Sequence, residues 1–177
     1  MAREKYQFQK EIKLKQIYLS FFLLFNLMAS ANSEESLNAF FNNELSFTQT
    51  SLNKINDSFD ESSGVLTRNE DNTIKIEIRE PFKEIYFISN DGIEIHDLEF
   101  NQIKIIKKTD LENNSMFNFI NDGFSKEGLN IKEIDDSNYL IEENNKSFYF
   151  EFINEKVLHI KYKDNMNIDN LIRFYKK

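Results

Sequence analysis

The chain has 177 residues, 22 of them basic and 30 acidic, a formal net charge of −8, 18 phenylalanines, one proline and no cysteine. That is enough for one domain with a real core, and the absence of cysteine excludes disulfides, thiolate metal sites and an N-acylated N-terminal cysteine. Setting aside the five basic and two acidic residues of 1–31 leaves 17 and 28, a net of −11, and so acidic a body repels phosphate backbones and excludes nucleic acid as a partner.

Residues 1–15 are polar and basic, and Ile17 to Ala31 is a short apolar run ending in Ala29-Ser30-Ala31. This pattern describes a secretory signal peptide over 1–31, with cleavage after Ala31 and a mature chain that works outside the cytoplasm. A spanning helix needs about 20 apolar residues, and this run contains Asn26. The long basic region keeps an uncleaved anchor as the alternative.

In the mature chain, Asn32 to Glu44 reads as a helix capped by Asn32, with Leu37, Phe40, Phe41 and Leu45 as its apolar stripe. Phe47 to Gln49 opens the first strand, and polar Asn53 to Ser63 reads as a loop or a ragged hairpin. Gly64–Arg68, Thr73–Arg79, Glu84–Ser89, Ile93–His96 and Gln102–Lys107 follow as strands. Ile74, Ile76 and Ile78 alternate, as do Ile93 and Ile95, so each run has one apolar face, and Asn90-Asp91-Gly92 is a hairpin turn. Pro81 cannot donate to a ladder and belongs at a strand end or an edge. Asp110 to Asn121 is a second helix with Asp110 as cap, ended by Asp122-Gly123. Leu129–Ile134, Asn138–Glu142, Ser147–Ile153, Val157–Lys163 and Asn170–Tyr175 complete a set of about ten strands. No linker or repeat divides residues 32–177, which form one domain.

This is a mainly β (α+β) chain with one apolar sheet face and few helices to cover it. Such a sheet must close, pair with a second sheet or be covered. A partial helical cover leaves a cavity lined by Phe and Ile, while a tightly packed sandwich, serving as an interaction subunit with no ligand, is the competing reading. Neither catalysis nor a metal site is indicated. His96 and His159 are the only histidines, neither in metal-ligand spacing, and His96 and Asp97 point to opposite faces of a strand. Asp135-Asp136-Ser137-Asn138 lacks the glycine and the closing glutamate of a calcium loop. No enzyme, cofactor or metal is expected.

The stretch from Phe47 to Gln102 resembles LolA, the periplasmic carrier of outer-membrane lipoproteins. The matching words are Phe47-Thr48-Gln49, Gly64-Val65-Leu66, Glu80-Pro81, Ser89-Asn90-Asp91-Gly92 and His96-Asp97-Leu98-Glu99-Phe100-Asn101-Gln102-Ile103. They stand where the family has F-x-Q, G-x-L, a strand-ending proline, a D-G hairpin and Y-D-x-x-x-x-Q-V. Leu158 to Phe174 is similar to the family's last strand pair, more weakly. The chain departs from the family where Arg-Pro is usual, having Glu70-Asp71, and where an aromatic is usual, having Ile76. Gly92 also lies two residues nearer to His96-Asp97 than the family pattern has it.

The resemblance implies an open antiparallel β-barrel with a small helical lid over an apolar cavity. Phe40, Phe47, Leu66, Ile74, Ile76, Ile78, Phe87, Ile95 and Phe119 would line the cavity, with Phe41 and Phe117 as further lid candidates. Arg68 is the nearest substitute for the arginine that holds the family's lid. It also implies a monomeric periplasmic shuttle for acylated lipoproteins. An inner-membrane lipoprotein-releasing transporter would be the donor and an outer-membrane protein the acceptor. A module of the same build that carries another lipid is the alternative.

Overall fold

A computed structural model describes residues 33–177 apart from 54–56, 112–113, 126–128, 144 and 165. The signal-peptide reading of 1–31 and the Asn32 cap lie outside the described residues. The elements are α1 (Ser33–Phe41), β1 (Leu45–Asn53), β2 (Ser58–Arg68), β3 (Ile74–Glu80), β4 (Glu84–Ser89), β5 (Gly92–Asp97) and β6 (Gln102–Lys107). Then come α2 (Lys108–Leu111), α3 (Ser115–Asp122), β7 (Asn130–Asp135), β8 (Asn138–Glu143), β9 (Lys146–Asn154), β10 (Val157–Lys163) and β11 (Asp169–Lys176).

The strands form one 11-stranded sheet in the order β6-β5-β4-β3-β2-β1-β11-β10-β9-β8-β7. Every pairing is antiparallel, and the sheet is open, with β6 and β7 as its two ends. Two meanders, β1–β6 and β7–β11, are joined by a seam between the first strand and the last, from Leu45↔Lys176 to Ser51↔Asn170. Next to the seam, Lys177 donates to the Glu44 carbonyl and carboxylate.

Turn chemistry explains much of the meander. Asp57, Asn72, Asn101, Asn145 and Asn167 all have φ between 50° and 64°, a left-handed conformation that short Asn and Asp side chains tolerate best. Gly92 closes the β4–β5 hairpin at φ 139°, where a Cβ would stand 2.1 Å from the Ile106 carbonyl oxygen. Pro81 directly follows the last residue of β3.

Of the two readings of Asn53 to Ser63, the structure has the hairpin, β1 and β2 pairing from Leu45↔Leu66 to Asn53↔Ser58. The far part of that hairpin projects beyond the core, so backbone hydrogen bonds hold it and its side chains carry no apolar alternation. One expectation is corrected: Asp110 is not the cap of one long helix. A single turn, α2, ends at Leu111, and α3 starts afresh with Asn114 as its cap, whose Oδ1 accepts from the Phe117 amide at 3.1 Å.

The sheet's inner face is unevenly covered. Over β8–β11 it is packed solid with aromatic rings. Phe40 of α1 meets Phe152 edge-on at 5.4 Å, Phe41 meets Phe174 at 5.2 Å, and Phe119 of α3 meets Phe148 at 5.0 Å. Phe124, just past α3, stacks on Phe119 and stands edge-on to Phe150. Asn38 of α1 ties the two covers together, its Oδ1 accepting from the Phe124 amide at 3.0 Å. Over β1–β4 the face is hollow, with Met116 and Ile120 of α3 above Phe47, Leu66, Ile76, Ile78 and Tyr86.

Candidate functional site

The hollow begins at Gly64. Phe47 and Gly64 are register partners in β1 and β2, and a Cβ on Gly64 would lie 2.9 Å from the Phe47 ring and 2.3 Å from the Glu77 carbonyl oxygen. Only a residue without a side chain lets that ring lie against the sheet. Beside it Phe174 of β11 closes the wall, with ring centroids 5.8 Å apart.

From there a cavity of about 340 Å³ opens under α3. Its floor is the inner face: Phe47 and Gln49 of β1, Leu66 of β2, Ile76 and Ile78 of β3, Tyr86 of β4, and Ile172 and Phe174 of β11. Tyr162 of β10 stands at its side, and Asn114, Met116 and Ile120 form its roof.

Among the residues singled out from sequence, Phe47, Leu66, Ile76 and Ile78 therefore share this one wall. Phe40, Ile74 and Phe119 are buried in the packed core instead, and Ile95 faces inward opposite Tyr86 without reaching the cavity. Phe87 is on the other face. Tyr86 and Ile88 pair with Ile76 and Ile74 on the inside, so Phe87, opposite Lys75 and Glu94, points outward, 40% exposed, its ring against His96. Glu84-Ile85-Tyr86-Phe87-Ile88 holds four consecutive large apolar residues, and an unbroken run cannot reveal which parity faces in.

Arg68 reaches the roof. Its Nη2 donates to the carbonyl of Ile120 in α3 at 2.6 Å, while its Nε is buried with no partner among the described residues. Burial draws the Arg68 guanidinium below its ordinary pKa. A charged donor on a helix carbonyl is a strong tether of its kind, and it holds the last turn of α3 over the hollow.

The polar groups of the wall are few. Tyr86 donates to Glu84 Oε2 at 2.5 Å, and burial, then that carboxylate, raises its pKa. Burial and nearby Asp164 push the Tyr162 phenol up to about 12, so it stays protonated at neutral pH. At the seam, Gln49 donates to Asn170 Oδ1 at 3.1 Å and Ser51 to the same oxygen at 2.5 Å. Alternation in β1 and β11 could have placed Gln49, Ile172 and Phe174 with Phe47. Tyr162 and the α3 residues needed the long-range pairing, which no local pattern carries.

Neither family models nor curated proteins give a match to this chain. The site must be judged from its own chemistry.

A larger, open cleft of about 950 Å³ lies at the hairpin ends, lined by Phe59, Lys161, Lys163, Asp169 and Arg173 among others. Two of its lysines are paired, Lys161 with Glu151 at 2.8 Å and Lys163 with Asp169 at 3.0 Å, and a solvated charged rim does not enclose an apolar ligand. The smaller apolar hollow is the better candidate. The histidines lie on the outer face. His96 Nε2 is 2.5 Å from Glu94 Oε1, and His159 stands between Glu151 and Arg173, held below the ordinary imidazole range by desolvation and then by Arg173. The Asp135 carboxylate is taken up by the Ser137 amide and the Asn138 side chain. Among the described residues no group of three or more His, Asp and Glu could hold a metal ion. No helix of the described residues is long and apolar enough to cross a membrane.

Proposed function

We propose that this chain is a carrier that shelters the acyl chains of lipoproteins in its apolar cavity and ferries them across the periplasm from inner to outer membrane. The observation that supports this reading is the cavity itself, walled by Phe47, Leu66, Ile76, Ile78, Ile172 and Phe174 beneath the Met116 and Ile120 side of α3. Each methylene removed from water gains about 0.8 kcal/mol, so a multiply acylated anchor cannot cross an aqueous space alone. The hollow lies at the small end of ligand pockets, which run from about 300 to 1,000 Å³. Several chains enter only if the roof lifts, and the ligand then spends part of its binding energy displacing α3. That expense keeps the complex loose enough to pass its cargo on. In this reading the fold is an open antiparallel β-barrel with α3 as its lid, Arg68 holds the lid down, an inner-membrane lipoprotein-releasing transporter is the donor, and an outer-membrane protein is the acceptor.

Two measurements test it. Spheroplasts depleted of the protein should retain their lipoproteins, and adding it back should release them into solution as a stoichiometric complex. A fluorescent apolar probe should bind the purified protein saturably, and Ile76→Glu should abolish binding while the circular dichroism of the sheet is kept. Probe binding with no lipoprotein release would make the cargo a different lipid. No probe binding at all would remove the carrier reading.

A further inference from the structure

We propose that Gln49 reads a hydrogen-bond donor at the head of the bound apolar chain, so that the cavity prefers chains joined through an amide N–H, or bearing a hydroxyl, over esters. This rests on the acyl-carrier reading above and adds which linkage the site selects.

The seam network fixes the orientation of one amide. Asn170 is 6% exposed, and its Nδ2 donates to the Ile168 carbonyl at 2.9 Å. Its Oδ1 is thereby turned the other way, where it accepts from Ser51 Oγ at 2.5 Å and Gln49 Nε2 at 3.1 Å. Gln49 Nε2 also lies 3.3 Å from Ser51 Oγ. Side-chain amides are oriented by their partners, and reversing this one would set two carbonyl oxygens against each other. Gln49 therefore spends its nitrogen on the network, and its Oε1 has no partner among the described residues. Gln49 lines the cavity and its Oε1 is not among the sealed, buried polar atoms, so a ligand in the hollow can meet this unused acceptor.

The remaining polar groups of the wall sharpen the choice. Tyr86 gives its hydroxyl to Glu84, and Asn114 Oδ1 is occupied by the Phe117 amide. Tyr162 keeps a hydroxyl and Asn114 its Nδ2 with no partner among the described residues, donors on two residues of the same cavity. One acceptor and two donors in an otherwise apolar hollow suit a secondary amide, which presents an N–H and a carbonyl. An ester offers acceptors alone and leaves Gln49 Oε1 desolvated and unmatched. A site built to bond a donor rejects the analogue that lacks it.

The test is displacement of the fluorescent probe from the full chain by N-methylhexadecanamide and by methyl hexadecanoate, in wild type and in Gln49→Leu. The amide-to-ester affinity ratio should fall about fivefold in the variant, the worth of one net hydrogen bond. An unchanged ratio overturns the role of Gln49 and leaves the carrier reading standing. Should the variant not fold, wild type alone decides. It should bind the secondary amide several-fold more tightly than the N,N-dimethyl amide, and equal binding overturns the proposal. Failure of all these ligands to displace the probe, or of the probe to bind, overturns the carrier reading with it.

Discussion

Gly64 is the residue on which the cavity's innermost wall depends. Alanine there would push against a backbone carbonyl at 2.3 Å that cannot step aside and against the Phe47 ring at 2.9 Å. Gly64→Ala should therefore destabilise the protein by about 1–3 kcal/mol and lower probe affinity, seen as a shifted denaturation midpoint with an unchanged slope. A midpoint equal to wild type would mean that Phe47 does not rest on Gly64. At this scale the sequence spoke unevenly. The alternation of Ile74, Ile76 and Ile78 marks a face plainly, whereas Phe87 sits in an unbroken apolar run and its outward direction is set by pairing with Lys75 and Glu94. The many asparagines look like compositional bias, yet Asn72, Asn101, Asn145 and Asn167 each take a left-handed turn. Their signal was legible one by one, between apolar runs, and not in their number.

Among the elements, α3 roofs the cavity on little support of its own. It has eight residues, starts with an Asn114 cap, and is held at its other end by Arg68 and by the Asn38 bond to Phe124. So short a helix has little stability of its own. Asn114→Ala should cost about 1 kcal/mol and show first as faster amide hydrogen exchange at Phe117 and Asn118, with exchange in β9 and β10 unchanged. Uniform loss of protection would make α3 part of the global core instead of a separable cover. The helix was visible in its apolar residues, but its start was not. Asp110 and Asn114 are both good caps, and which one serves depends on where Phe117, Phe119 and Ile120 find their pockets. Strand positions were readable wherever one face is buried. They vanished from Ser58 to Ser63, where the β1–β2 hairpin outruns the core and side chains no longer alternate.

For the whole molecule, the decisive feature is the seam. Each meander is built from sequence neighbours, but β1 and β11 join residues as far apart as Leu45 and Lys176. Nothing local announces that pairing, which is why antiparallel strands with one apolar face were legible and their order in one sheet was not. A chain ending at Ile168 should lose its cooperative unfolding transition and its probe binding together, measured by denaturation and fluorescence. Retention of a sharp transition would show that either meander stands alone. The seam also has a kinetic side. Loop closure over so long a span is slow, and until β11 arrives β1 presents a bare edge. A neighbouring copy can lend its own last strand to that edge and satisfy the same ladder, so crowded refolding of this protein favours interlaced pairs held together by swapped tails.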